Sequence, residues 1–242
     1  MTPPPSQAAG STQQRPEPAP LGRPREFDLD SALEAAMLVF WRKGYEGASM
    51  SDLTASLGVT KPSLYAAFGA KEDLFRAVLD RYDKRTAHFL SGSIRAATAR
   101  EVAVGLLRGA AEFHANPANP PGCLMVQGAL VGSDAGEAAR RETRTRRDRL
   151  REAIQERLES ALDEGDLPPG ADPKALARYL VAVMRGMAVE AASGAGAAEL
   201  HEIVDLALTA WPALKRQRRR VEALRSVRSE TARAVSKGSA PS

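Results

Sequence analysis

The sequence predicts an all-α protein in which an N-terminal three-helix helix-turn-helix domain is joined to a C-terminal antiparallel helical domain. Apolar residues recur at three- and four-residue spacing along most of the chain, with no strand-like alternation. Hydrophobic residues make up 43% and aromatic residues only 5%, with alanine and leucine runs, so the core is aliphatic and helical. Finally, the stretch from Met50 to Asp73, MSDLTASLGVTKPSLYAAFGAKED, reads as a helix, a glycine turn and a second helix, with a third following at once.

At 242 residues the chain has ample length to bury a core. A net charge of +4 and a pI near 9.4 point only weakly to a polyanionic partner; charge is informative where arginines cluster. The single cysteine, Cys123, rules out an intramolecular disulfide and suits a reducing compartment. No apolar run approaches the roughly twenty residues needed to span a bilayer. The N-terminus lacks the apolar segment of a signal peptide. A cytoplasmic protein with no membrane partner is therefore expected. Residues 1–24 are rich in Pro, Ser, Gln and Ala and are expected to form a disordered arm. No Ser-His-Asp arrangement, phosphate-binding glycine loop or carboxylate pair stands out, so neither an enzyme nor a cofactor is expected.

Residues 25–72 form the expected helix-turn-helix domain. A first helix runs from about Asp28 or Asp30 to Lys43, with Leu33, Ala36, Met37 and Phe40 on one buried stripe. Ser31 and Glu34 have capping-box spacing, Asp28 is a competing cap, and Gly44 suits the position after the helix. Trp41 and Tyr45 close this small core. The second helix begins after the cap Ser49, with Met50, Leu53, Thr54 and Leu57 inward. Gly58 supplies the left-handed backbone of the turn, and Val59 packs inward.

Thr60 then caps the third helix, and Pro62 occupies its first turn, where a missing N–H costs nothing. Leu64, Ala67 and Phe68 point home. Lys61, Ser63, Tyr65 and Ala66 are left facing out near the N-terminal end, the part of such a helix that reaches base edges in a major groove. Lys61 suits guanine O6 or N7, and Ser63 suits either kind of base. Tyr65 is placed for a phosphate. Lys71 and the first N–H groups of the fourth helix make an anion site.

The text AAMLVFWRKGYEGASMSDLTASLGVTKPSLYAAFGAKEDLFRAVLDRY, about Ala35 to Tyr82, resembles the tetracycline-repressor (TetR/AcrR) family of bacterial regulators. That resemblance implies a homodimer with an N-terminal DNA-binding domain and a C-terminal domain that binds a small molecule. It implies phosphate contacts from Ser49, Thr60, Tyr65 and Lys71, and base reading by Lys61 and Ser63. One departure is Ala70, where the family usually places Asp, Ser or Asn before the lysine. A lost side-chain cap costs about 1 kcal/mol.

Residues 73–214 should form the ligand-binding and dimerisation domain. Its fifth helix spans about Arg100 to Ala115, the sixth Gly122 to Leu130 and the seventh Gly136 to Glu164. The eighth starts after Asp172 with Pro173 first, and the ninth runs from about Ala198 to Trp211. Leu176, Tyr179, Leu180, Val183, Met184 and Met187 give the eighth helix a wide apolar face, as Leu200, Ile203, Val204, Ala207, Leu208 and Trp211 do the ninth. Two such pairs across a two-fold axis give an isologous four-helix interface, the expected homodimer contact. Phe89, Leu106, Leu107, Phe113, Leu124, Met125 and Leu130 are candidates to line an effector cavity, with His114, Cys123 and Gln127 as its polar groups. For each, a plain core role competes. The segment GCLMVQGAL resembles a TetR subgroup in which this short helix borders the pocket. Cys123 reads first as a small buried thiol, and second as a reactive thiol or, with His88, His114 and His201, a metal ligand.

Arg140, Arg144, Arg147 and Arg151 share one face of the seventh helix, flanked by Arg141, Arg146 and Arg149. The favoured reading is a solvated face with acidic neighbours Glu142, Asp148 and Glu152. The tail, residues 215–242, is Arg-rich and serves either phosphate attraction or solubility. Arg23 and Arg25 resemble the minor-groove arms that precede some helix-turn-helix domains. The leading expectation is a repressor that binds a palindromic double-stranded operator as a homodimer and leaves it on binding a small-molecule effector. A constitutive DNA-organising protein, a thiol or metal sensor and an activator are the alternatives.

Overall fold

The computed structural model describes residues 28–127 and 136–212. Arg23, Arg25, Leu130, the N-terminal arm and the Arg-rich tail lie outside them. Within them the elements are α1 (Leu29–Gly47), α2 (Met50–Leu57), α3 (Lys61–Phe68), α4 (Lys71–Ile94), α5 (Ala99–Ala115), α6 (Leu124–Gln127), α7 (Glu137–Asp163), α8 (Pro173–Ala192) and α9 (Ala197–Thr209).

Two clusters organise the fold. The first gathers Met37, Phe40 and Trp41 of α1, Leu53 of α2, Leu64 of α3, and Leu74, Phe75, Val78, Leu79 and Tyr82 of α4. The second centres on α5, whose Val102, Ala103, Leu106, Leu107, Ala110 and Ala111 are fully buried against α4, α8 and α9. Helix α4 belongs to both: its first three turns complete the head, and its later turns carry Phe89 and Leu90 to the second cluster. A boundary at residue 72/73 therefore falls just inside a continuous helix.

Local chemistry explains most helix ends. Asp28 caps α1, accepting from the Asp30 N–H and the Ser31 hydroxyl. The anticipated Ser31–Glu34 box does not form. Glu34 instead pairs with Arg81 at 2.8 Å and Arg85 at 3.1 Å, fastening α1 to α4. Gly44 has φ +70° and ψ 175°, a glycine-only region, and breaks α1 so that a last turn can drop Tyr45 and Ala48 into the core. Asp172 caps α8 with Pro173 in its first turn. One inward expectation fails: Ala67 is exposed, because the short α3 reaches the core through Leu64 and Phe68, while the half-buried Leu33 packs against the same cluster.

Candidate nucleic-acid interface and effector cavity

The reading head is built by two caps and one turn. Gly58 takes φ +66° to end α2, and the Thr60 hydroxyl accepts from the Ser63 N–H at 3.4 Å to start α3. The first turn of α3 thus stands out from the body, with Lys61, Ser63, Tyr65 and Ala66 all exposed. Lys61 and Tyr65 make no side-chain hydrogen bond or ion pair to the described protein, so their polar ends are available to another molecule. The Ser63 hydroxyl lies 3.0 Å from that of Thr60.

The two flanking positions are more committed. Ser49 gives both its hydroxyl (2.8 Å) and its N–H (3.0 Å) to Asp52, whose carboxylate also receives Lys43 at 2.6 Å. Lys43 first and Ser49 second hold the Asp52 carboxyl down to about 2. A phosphate approaching Ser49 must displace an internal carboxylate. At the start of α4 the Ala70 N–H is likewise taken by Asp73, at 3.1 Å. Lys71 lies with its ammonium 4.5 Å from the centre of the Tyr45 ring, where partial burial lowers its proton affinity. No side chain caps the N–H groups that follow Ala70, so they stand with the ammonium at this anion site.

Behind the head, a cavity of about 120 Å³ opens between α4, α5, α6, α7 and α8. Phe89, Phe113, His114 and Cys123 line it, as expected; so do Tyr82, Thr86, Leu90, Leu150, Val181 and Met184. Burial lowers the proton affinity of His114, so its ring is neutral and Nδ1–H can donate to the Gly122 carbonyl at 3.2 Å. Cys123 Sγ lies 3.1 Å from the Tyr82 hydroxyl, and burial raises both acids. A protonated, hydrogen-bonded thiol is a poor nucleophile, which favours the plain buried reading of Cys123. Among the described residues no three His, Cys, Asp or Glu side chains gather as metal ligands do.

The cavity touches the head directly. Trp41 of α1 stacks on Phe113 (5.8 Å, 16°) and meets Tyr82 edge-on (4.9 Å, 78°).

Two sequence profiles match this chain: "Bacterial regulatory proteins, tetR family" over residues 32–78, and "Tetracyclin repressor-like, C-terminal domain" over residues 104–208. The transcriptional repressor ComR of Escherichia coli K12 is 35% identical over 196 residues, spanning 80% of this chain and 93% of its own. The regulator CifR, solved as a cysteine variant with 26-bp double-strand operator DNA, superposes with TM-score 0.75 at 39% identity, covering 78% of this chain and all of its own. A TetR regulator from Rhodococcus sp. RHA1 is 42% identical with TM-score 0.54, covering 76% and 99%. The chain belongs to the TetR family. It is a transcriptional regulator of that family.

Four cavity expectations for this TetR chain are corrected. Leu106 and Leu107 are buried in the α5-centred cluster, Leu124 is buried in the head cluster, and none of them lines the cavity. Gln127 is exposed and donates to the Pro121 carbonyl at 3.4 Å. All four sit on helices apolar or constrained on several sides, so spacing alone does not select the cavity-facing stripe. The arginines of α7 are corrected in part: Arg141, Arg144 and Arg149 are exposed and Arg151 pairs with Asp148, as a solvated face with acidic neighbours would have it, but three others are not. Arg146 is nearly buried and binds Asp80, Asp83 and Glu142, fastening α7 to α4, while Arg140 reaches Glu46 and Glu137. Arg147 lines the cavity, joined there by Arg185 of α8. Arg185 stands alone in the apolar run VAVMRGMAV, and that isolation is the signal that marks it in the sequence.

Proposed function

We propose that this TetR regulator is a repressor which binds a palindromic double-stranded operator as a homodimer and is released when a small molecule enters the cavity. Lys61 and Ser63 read bases; Thr60, Tyr65, Lys71 and, after displacement of Asp52, Ser49 contact phosphates; Arg25 extends the contact into the adjacent minor groove. Phe89, Phe113, His114 and Cys123 hold the effector. The observation that carries this reading is the continuity of α4: it starts at Lys71 beside the reading helix and runs unbroken to Phe89 and Leu90 on the cavity wall. A ligand pressing on that wall tilts the helix on which the head is built. Its leverage is bounded by its differential affinity for the two states, and a shift from 1:99 to 99:1 needs roughly a 10⁴-fold difference.

The exposed strip of α8, with Ala182, Gly186 and Val189, and the exposed Leu206 of α9 supply the face for a second copy. Two heads then lie about 34 Å apart, the spacing of successive major grooves. Genomic fragments captured by the purified protein and sequenced should share one palindrome, bound at least about 10³-fold tighter than random DNA. Capture without a common site, at equal affinity for random DNA, would instead establish a constitutive DNA-organising protein.

A further inference from the structure

Two cations line the cavity with no paired carboxylate among the described residues. Arg147 and Arg185 both line it, both are half-buried, and no described carboxylate hydrogen-bonds or ion-pairs with either. Arg146, one residue away, shows what this protein does with a structural arginine: it meets Asp80 at 2.7 Å and Glu142 at 2.8 Å, with Asp83 completing the set. The acids nearest the cavity are spoken for, Asp83 by Arg146 and Asp148 by Arg151 at 2.8 Å. Arg147 adds to the positive field at Arg185, and burial makes both harder to keep charged. Asp148 offsets this only in part, from a carboxylate already bound to Arg151; an anion received by both arginines removes the remaining cost.

The rest of the wall is apolar: Phe89, Phe113, Leu150 and Met184 line it, and His114 is neutral. A volume of about 120 Å³ is slightly smaller than the engineered void of roughly 150 Å³ that admits benzene. The occupant therefore has an apolar body of no more than about six carbons. Guanidinium forks match a carboxylate in plane and spacing.

We propose that the effector of this regulator is a small amphipathic carboxylate, its head received by Arg147 and Arg185 and its ring or short chain packed against Phe89, Phe113 and Met184. This inference rests on the regulatory reading above and names the chemical class of its ligand.

The test uses the full chain with benzoate and hexanoate, their amides, and benzylammonium and hexylammonium. Binding is read by calorimetry and by quenching of Trp41, which stacks on the cavity residue Phe113. The carboxylates should bind, the amides at least tenfold more weakly, and the ammonium ions not at all. Arg147→Gln and Arg185→Gln should each weaken carboxylate binding at least tenfold while raising the Tm of the unliganded protein, because each removes an unpaired charge. An amide that binds as well as its acid, or Gln variants with unchanged affinity, would overturn the proposal. So would failure of both carboxylates at about 10 mM. The acid–amide comparison needs no variant and stands even if one misfolds. Operator binding by the same unliganded preparation separates the two readings. If it binds operator but no carboxylate, only the ligand class falls; if it binds no DNA, the regulatory reading falls.

Discussion

Lys61 and Ser49 illustrate how much a few ångströms of local chemistry decide at the reading head. Both are exposed, yet Ser49 spends its donors on Asp52, while Lys61 has its ammonium free for a base edge. Replacing Lys61 with alanine should reduce discrimination between operator and mismatched sites by about 1–3 kcal/mol. Tyr65→Phe and Lys71→Ala should instead weaken specific and random DNA alike. Anisotropy titrations on both DNAs decide it; equal losses for Lys61→Ala would mean that the base-reading role belongs elsewhere. Asp52 gives this head an acid dependence. Its carboxyl falls from an ordinary 3.8 to about 2 in the folded state, so the stabilisation it lends is complete above pH 4 and disappears as the pH drops through 2. The Tm advantage of the wild type over Asp52→Asn should therefore be constant from neutrality to about pH 5 and shrink steadily below pH 4. A gap unchanged at pH 2 would show that the carboxylate acts by shape alone. The exposed reading residues are legible in the sequence because caps, a glycine and a proline fix a short helix from within. The cavity residues are less so: Arg147 stands in a charged stretch and Gln127 in the apolar GCLMVQGAL, yet tertiary packing turns the arginine to the cavity and leaves the glutamine exposed.

Helix α1 shows the same division between local and distant control. Its break falls at Gly44, the first of two glycines in the segment, where the apolar stripe ends; Gly47, the second, keeps a negative φ. The partner of Glu34 is not visible, because Arg81 and Arg85 arrive from α4, 47 residues on in the case of Arg81. The first turn of α8 needs only Asp172 and Pro173, and the start of α3 only Thr60, so those ends are read correctly. The breadth of burial on α5 defeats periodicity: opposite the exposed Arg100, Glu101, Arg108 and Glu112 lies one wide apolar face, and no spacing says which part of it meets a cavity and which a neighbour. The Gly44 break carries a prediction. A Cβ there would meet the Gln127 carbonyl at an ordinary 3.5 Å, so the cost of Gly44→Ala is one of backbone conformation, about 1–3 kcal/mol. For a chain of this size each kcal/mol lowers Tm by about 2–4 °C. Gly47→Ala, in the turn beyond, has a comparably roomy site and no positive φ, and should leave Tm unchanged or raise it. Thermal melts of the two variants side by side decide it, and equal melting temperatures would refute the conformational account.

At the scale of the whole molecule, the apolar residues of α8 and α9 divide between two tasks. Leu180, Met187, Leu200, Val204 and Trp211 are buried inside the protomer, so they are not the surface that two copies share. What remains outside on α8 is a strip of Ala175, Arg178, Ala182, Gly186 and Val189, at helical spacing and with small side chains at its centre. On α9 it is Leu206, 74% exposed, flanked by the exposed acids Glu202 and Asp205. Small residues let helix axes approach closely, and a leucine left in water gains about 1.5–3 kcal/mol by being covered. Leu206→Glu adds a third carboxylate beside those two and sets it against its own copy across the proposed two-fold axis, where like charges are repelled and desolvated together. The variant should sediment as a monomer with an unchanged helical spectrum, because Leu206 contributes nothing to the protomer core. Its operator affinity should fall by about 10²–10⁴, the advantage that linkage gives the second half-site. If Leu206→Glu stays dimeric, the shared surface lies elsewhere on the chain. If it is monomeric and still holds the full operator at wild-type strength, twofold recognition of the palindrome is wrong.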